Sequence, residues 1–381
     1  MKKELVFTLI AVIAFTLVHL SGLKAETKET KEKPAIEMAI LLDTSNSMDG
    51  LINQARAQLW KIVNELATAK RDGMTPILRV ALYEYGNDNI ASTKGYIRQV
   101  LPLTTDLDKV SEMLFALQTR GGDEYCGQVI QEATNELKWS KDPKTLKMIF
   151  IAGNEPFTQG TVDYTQSVKA AISKDITVNT IFCGPAQEGI ATKWQDGALR
   201  ADGKFMNIDQ NKQVAYIEAP QDKEIAKLGA ELNQTYIGYG TEGKVAKERQ
   251  VMQDQKAQEM SEESAVQRTV SKTKGLYVAD NWDLVDAVKS KKVDLKKVEK
   301  DALPEEMKNL KPEERQAYVE KKQKEREEIQ KKITELNEQR TKYVNDKMKE
   351  LNQNGENTLD AVMIKSIREL ATKKNFSFET K

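Results

Sequence analysis

Residues 36 to 240 alternate between short apolar runs and longer amphipathic runs, and this alternation restricts the chain to few folds. Apolar runs of this length predict strands, and amphipathic runs predict helices. The predicted strands are 36–42, 77–85, 96–100, 147–152, 177–182 and 204–208, and the predicted helices are 48–69, 106–117, 125–139, 163–174 and 223–234. The pattern predicts an α/β fold, a doubly wound and mostly parallel sheet with helices on both faces.

Beyond Gly240 the composition changes, and Lys, Glu, Gln and Arg dominate. Two long polar helices are predicted, 245–272 and 312–351, and together they predict a charged helical arm over 241–352. The arm is either an antiparallel hairpin, through which the chain could form an oligomer, or a set of separate solvated helices. The aromatic cluster around Trp282 either folds onto the arm or docks a partner. Within 353–381, a last amphipathic helix is expected to pack back on the body of the protein.

The N-terminus has the composition of a secretory signal. Residues 1–25 begin with Lys2-Lys3, continue with an apolar stretch and end in a polar turn near Ala25. This order predicts a signal peptide cleaved near Ala25. We therefore expect a periplasmic or secreted protein without membrane insertion after cleavage. An uncleaved N-terminal anchor is the alternative, although the apolar stretch is shorter than the ~20 residues that a span requires.

Composition excludes several function classes. The only histidine, His19, lies in the predicted signal segment, so the mature chain has no imidazole for a catalytic base or a zinc site. The 58 Lys and Arg residues balance the 58 Asp and Glu residues, which leaves no net positive charge for binding nucleic acid. We expect a non-enzymatic protein that does not bind nucleic acid.

One loop offers a set of metal ligands. The first predicted strand is followed by Asp43-Thr44-Ser45-Asn46-Ser47, which places a carboxylate and two hydroxyls two residues apart before a helix. Hard oxygen ligands of this kind suit Mg²⁺. The alternative is that these residues only cap the next helix. The carboxyl end of a strand is also where doubly wound sheets bind ligands.

On this loop and the predicted alternation, residues 35–240 resemble a von Willebrand factor A (vWA) domain with its metal-ion-dependent adhesion site. The resemblance implies that Asp43, Ser45 and Ser47 ligate Mg²⁺, or Mn²⁺ or Ca²⁺, directly or through water. The whole chain, with its signal segment and charged C-terminal part, resembles exported bacterial vWA-domain proteins.

Two further loops depart from the family pattern. The family has a Thr after two glycines in the second loop, where this chain has Asp123. The resemblance therefore implies Asp123 as the next ligand, with Glu124 or Thr119 as alternatives. In the third loop, Gly153 or Asn154 stands where the family usually has an Asp.

The resemblance also implies a function. In this family the ion accepts a carboxylate oxygen from a partner protein, so we expect a metal-dependent, adhesion-type module of the cell envelope. Asn46 and Glu155 are expected on the rim that faces the partner. The alternative function is a metal-independent scaffold that acts through the helical arm.

Cys126 and Cys183 are the only cysteines, and both are predicted on the rim that carries the metal site. Export to an oxidising compartment permits disulfides. The expectation is one Cys126–Cys183 bridge, and the alternative is two buried residues that do not meet.

Overall fold

The computed structural model describes residues 33–211, 216–350 and 358–378, and the predicted signal segment lies outside them. The strands are β1 (Ala35–Asp43), β2 (Ala69–Lys70), β3 (Ile77–Tyr85), β4 (Arg98–Thr104), β5 (Leu146–Gly153), β6 (Ile176–Cys183), β7 (Phe205–Ile208) and β8 (Ser377–Phe378). The helices are α1 (Asp49–Leu66), α2 (Leu107–Ala116), α3 (Cys126–Glu136), α4 (Tyr164–Ser173), α5 (Ala186–Ala191), α6 (Trp194–Leu199), α7 (Asp222–Asn233), α8 (Gly240–Met260), α9 (Glu262–Ser271), α10 (Leu284–Lys289), α11 (Glu305–Lys308), α12 (Pro312–Glu350) and α13 (Leu359–Lys373).

Six strands form one sheet in the order β4-β3-β1-β5-β6-β7. Strand β4 runs antiparallel to β3, and the other neighbours are parallel. The apolar sequences of β1 and β5 are buried along almost their whole length, as expected for central parallel strands. The predicted fold class is confirmed, and the carboxyl end of β1 lies in the middle of the sheet edge.

Helices cover both faces of this sheet. One apolar core lies between the sheet and α1, α2 and α13, and a second lies between the sheet and α3, α4 and α6. Strand side chains alternate between the two cores, so Ile181 and Cys183 of β6 pack in the first and Phe182 packs in the second.

The first core is completed by the last helix of the chain. Helix α13 packs against α1 and β7, and it buries Leu359, Met363, Ile367 and Leu370 in the same core as β1. The amphipathic segment thus packs back on the body, as its periodicity predicts. Residues 216–350 are therefore an insertion that precedes the final helix of the sheet unit.

A break at Ser261 divides the first long helix predicted within the insertion. A single helix was predicted over 245–272, but Ser261 is extended, with φ −172°, and separates α8 from α9. The Ser261 hydroxyl accepts a hydrogen bond from Ser264 N at 3.0 Å and so caps α9. The prediction of one helix is wrong because this local cap competes with helix continuation.

The insertion packs along the sheet unit. Helix α9 contacts α1, and α8 contacts α2, where the Ser111 hydroxyl donates to Gln253 Oε1 at 2.8 Å. Helix α12 contacts α7, α9 and α10 through a face whose buried residues recur every seventh position: Val319, Arg326, Ile333 and Arg340. Helix α12 is therefore packed against α7, α9 and α10 rather than isolated in solvent.

The aromatic cluster of the insertion is internal. Trp282 stacks on Tyr236 with ring centres 5.6 Å apart, and both side chains are buried with residues of α7, α9 and α12. Of the two alternatives for this cluster, folding within the region itself is the observed one.

Among the described helices, none combines the length and apolar character needed to cross a membrane.

Candidate metal site

Asp43 ends β1 between two neighbouring strands, with Tyr85 of β3 beside it. Its side chain is 0 % exposed. One carboxylate oxygen, Oδ1, accepts a hydrogen bond from the backbone N–H of Ser45 at 2.8 Å. The strand sequence thus brings a carboxylate to the centre of the sheet edge, and the following loop folds back over it.

The two serines of this loop lie together. Ser45 Oγ and Ser47 Oγ are 3.4 Å apart, and Asn154 Nδ2 lies 3.2 Å from Ser47 Oγ. Asn154 follows β5 directly, so it is the third-loop residue that comes next to the first loop. A Cβ on Gly153 would lie only 2.9 Å from Asp43 Oδ2, which explains why a residue with a side chain does not fit there.

Two oxygen acceptors in this group have no donor. Asp43 Oδ2 and Asn154 Oδ1 are buried and make no hydrogen bond among the described residues. Burial raises the pKa of Asp43 to about 7, although its hydrogen bond from Ser45 lowers it. A buried carboxylate oxygen without a donor is unfavourable unless a cation compensates it.

In the second loop, the carboxylate that turns inward is that of Glu124, whereas Asp123 was the predicted ligand. Asp123 is exposed and accepts a hydrogen bond from the Tyr125 hydroxyl at 3.0 Å. Glu124 is 6 % exposed, and burial raises its pKa to about 7, with the charges of Asp43 and Glu155 adding to the increase. Thr119, the other alternative, donates a hydrogen bond to Asp49. The structure therefore places Glu124 beside Asp43 and not Asp123.

The sequence offered no signal for the choice between Asp123 and Glu124, since two acidic residues follow the glycine pair and either could turn inward.

Gln210 is a further residue at this site that the sequence did not indicate. It follows β7, and its Nε2 donates to the backbone oxygen of Ser47 at 2.9 Å. Its position reflects a contact between distant segments, which local patterns do not show.

The predicted rim residues lie around this group. Asn46 is exposed, and its Nδ2 would be 3.2 Å from a Cβ on Gly121 of the second loop. Glu155 is partly buried, and its negative charge raises the pKa of Asp43. Its backbone oxygen accepts a hydrogen bond from Trp194 Nε1 at 2.8 Å. Trp194 itself is fully buried, so its role here is packing.

The predicted disulfide is absent, because Cys126 and Cys183 are both free and buried. Cys183 packs on the α1 side of the sheet, whereas Cys126 begins α3 on the opposite side. The Cys126 thiol lies 3.9 Å from the Tyr85 hydroxyl instead. The bridge prediction is wrong because the alternation of β6 directs the Cys183 thiol into the core on the α1 side, whereas Cys126 on α3 packs in the core on the other face of the sheet.

The donor set is compatible with a hard divalent cation. It combines the carboxylate of Asp43, the hydroxyls of Ser45 and Ser47, and the amide oxygen of Asn154, and oxygen ligands of these kinds bind Mg²⁺, Mn²⁺ and Ca²⁺. Within the described ranges, no group of three or more His, Cys, Asp or Glu side chains is arranged to hold a metal. Any ion here would thus depend on hydroxyl or amide oxygens as well as carboxylates.

Comparison with known proteins agrees with this fold. The model of the von Willebrand factor type A domain family matches residues 37–214. A comparison with curated proteins gave no match.

Solved structures similar to this chain include the conserved hypothetical protein BatB from Bacteroides thetaiotaomicron, at 18% identity, with 46% of this chain and 91% of that chain covered and a TM-score of 0.36. The pilus adhesin SpaC from Lactobacillus rhamnosus GG is similar at 13% identity, over 47% of this chain and 28% of that chain, with a TM-score of 0.36. Proximal thread matrix protein 1 from the mussel byssus, with a zinc-occupied MIDAS motif, is similar at 10% identity, over 46% of this chain and 42% of that chain, with a TM-score of 0.34.

The family match covers most of β1 and the loops that carry Asp43, Glu124 and Asn154. This chain therefore contains a von Willebrand factor type A domain at residues 37–214.

Proposed function

We propose that the vWA domain of this chain binds a divalent cation and, through it, a carboxylate of a partner protein, without catalysing a reaction. The observation that carries the proposal is Asp43 Oδ2, a fully buried carboxylate oxygen without a donor at the carboxyl end of β1.

The negative charge of Asp43 is buried at the end of β1. A carboxylate that is removed from water destabilises the fold unless hydrogen bonds or a cation compensate it. Oδ1 of Asp43 accepts a hydrogen bond from the backbone N–H of Ser45, and the Ser45 hydroxyl and the backbone N–H of Asn154 also lower the pKa of Asp43. Oδ2 makes no hydrogen bond among the described residues. A divalent cation bound by Asp43, Ser45 and Ser47 would supply that compensation.

The chemistry of binding follows from where the site lies. Ser47 and Asn46 are exposed, so the group of ligands opens to solvent on one side. When bound, the cation supplies a Lewis-acidic position for an oxygen of the partner. The chain's own residues hold the cation and orient it, and Asn46 and Glu155 border the side from which a partner would approach.

We also infer export of the mature protein, from the signal-like composition of residues 1–25. A partner in the cell envelope would then meet the exposed side of the site. The proposal includes no catalysis, because no histidine follows residue 25 to serve as a base.

The first test is thermal unfolding of the mature chain, stripped with EDTA and then titrated with Mg²⁺, Mn²⁺ or Ca²⁺. Binding to the native state raises its stability, by about 2.7 kcal/mol at a hundredfold excess over Kd. Asp43→Asn should abolish this response. At pH 8 and without metal the variant should be more stable than wild type, by about 1–3 kcal/mol, because a buried charge has been removed.

The matched control is Asp49→Asn, which removes an exposed charge at the start of α1 and should retain the response. Absence of an ion effect on the wild-type chain would reject the proposal. The partner step is then measured by capture of envelope proteins on the immobilised chain with Mg²⁺ and with EDTA. Capture that is indifferent to EDTA and to Asp43→Asn would favour the metal-independent scaffold instead.

A further inference from the structure

The buried side chains of Asp43 and Glu124 both pack against Gly86. A Cβ built on Gly86 would lie 3.0 Å from Asp43 Oδ1, 2.8 Å from Glu124 Cγ and 3.5 Å from Glu124 Oε1. Gly86 also has a φ of +76°, which favours glycine. The absence of a side chain at this position therefore lets the side chains of Asp43 and Glu124 lie close to each other.

The approach of the second loop directs Glu124 inward. A Cβ on Gly122 would lie 2.8 Å from the backbone oxygen of Gly86, so the two backbones are in close contact at this point. The backbone N–H of Arg120 donates to Thr44 O at 2.8 Å, and that of Glu124 donates to Gln159 Oε1 at 3.0 Å. The loop is thus attached to the first loop at one end and to the third loop at the other.

We propose that Glu124, and not its exposed neighbour Asp123, is a ligand of the divalent cation. This inference rests on the proposed function. It does not depend on a group of acids alone, since the buried Asp43 Oδ2 without a donor is a separate observation that points to a cation.

The charges support this assignment. The groups that act most strongly on Glu124 include Asp43 and Glu155, which are both negative. Like charges on two neighbouring buried carboxylates repel each other, whereas a cation bound by both attracts each of them. Asp43 and Glu124 together balance the two positive charges of the ion within the free chain.

A functional consequence follows for the order of binding. In a site whose second loop supplies a neutral hydroxyl, one positive charge remains for the partner's carboxylate to balance. With Glu124 as a ligand, the chain retains the ion before any partner arrives, and the partner's oxygen only replaces water on an ion that is already held. Ion binding should therefore be measurable on the isolated protein.

The experiment compares two adjacent amide substitutions in the full mature chain, Glu124→Gln and Asp123→Asn, each of which removes one charge. Binding of Mg²⁺, Mn²⁺ and Ca²⁺ is measured by isothermal titration calorimetry, without a partner. Glu124→Gln should weaken binding of the preferred ion at least tenfold, and Asp123→Asn should change it less than threefold. In EDTA, Glu124→Gln should melt at the same temperature as wild type or higher.

The possible results separate a failure of the proposed function from a failure of the Glu124 assignment. If wild type binds no ion, the proposed function and this inference fail together. If wild type binds but Glu124→Gln binds equally well, or if Asp123→Asn has the larger effect, only the assignment of Glu124 is overturned. Should Glu124→Gln not fold, Glu124→Asp replaces it. This variant keeps the negative charge but shortens the side chain by one methylene. If Glu124 is a ligand, the variant should bind the ion more weakly than wild type. Unchanged ion binding would overturn the assignment of Glu124.

Discussion

Arg268 of α9 and Asp108 of α2 form a buried ion pair, with Nη1 and Oδ1 2.6 Å apart. Arg268 also donates from Nε to Asp254 Oδ1 of α8 at 2.8 Å, and its guanidinium lies 4.3 Å from the ring centre of Trp60 in α1. One side chain thus connects two helices of the sheet unit with two helices of the insertion.

Replacement of this arginine should strongly destabilise the protein. Arg268→Met leaves Asp108 and Asp254 without their shared partner, and loss of one member of a buried ion pair costs about 3–5 kcal/mol. The free energy of unfolding is measured by urea denaturation of the full chain.

The matched control is Arg249→Met. Arg249 also bridges α8 to the α2 region, through Asp106 and Glu112, but its side chain retains contact with water. Its removal should cost about 1 kcal/mol or less. Equal decreases in the free energy of unfolding for the two variants would show that burial does not increase the contribution of the Arg268–Asp108 pair to stability.

Acid stability should depend on Asp254. Burial alone would raise the pKa of Asp254, but the charges of Lys272 and Arg268 lower it to about 2. The folded pKa lies below the ordinary Asp value of 3.8, so the stabilisation is present above pH 4 and is lost as the pH falls toward 2. It amounts to about 2 kcal/mol by linkage.

The measurement is the free energy of unfolding at several pH values between 7 and 2.5. Between pH 4 and 2.5, wild type should lose stability more steeply than Asp254→Asn, which has no proton to bind at this position. Parallel curves for the two proteins would contradict the assigned pKa.

The last helix should be essential to the sheet unit. Met363 of α13 is 2% exposed and packs in the core with β1 and α1. Met363→Ala removes buried methylenes and leaves a cavity, so it should cost about 2–5 kcal/mol. Met252→Ala on α8 makes the same change at a side chain that is 52% exposed, and it should alter stability by no more than about 0.5 kcal/mol. Similar melting temperatures for wild type and Met363→Ala would argue against this packing.

Both thiols should be unreactive in the folded protein. Cys126 and Cys183 are free and buried, and burial raises the pKa of each thiol far above its usual range. Iodoacetamide should label neither residue under native conditions and both after denaturation without reductant, as measured by mass spectrometry. Labelling that requires prior reduction would show that the two residues are bridged.

Much of the fold can be predicted from local pattern. The observed bounds of β1, β3, β5 and β6 lie within one residue of those predicted, because a continuous apolar run marks a strand that is buried on both faces. Asp43, Ser45 and Ser47 were placed correctly at the end of the first strand for the same reason. Ser261 was missed because a helix break that depends on one capping hydroxyl leaves little trace in hydrophobic periodicity.

Local sequence pattern predicts the order of strands and helices along the chain, the position of Asp43 at the carboxyl end of β1 and, from its apolar periodicity, the packing of α13 on the body. Contacts formed only in the folded chain direct Glu124 inward and place Cys183 and Cys126 in opposite cores. These outcomes depend on segments far apart in the chain, such as the approach of Gly122 to Gly86 and the packing of Cys183 on the α1 side of the sheet. Local periodicity contains no information about such contacts, because they form only when the sheet has brought the segments together.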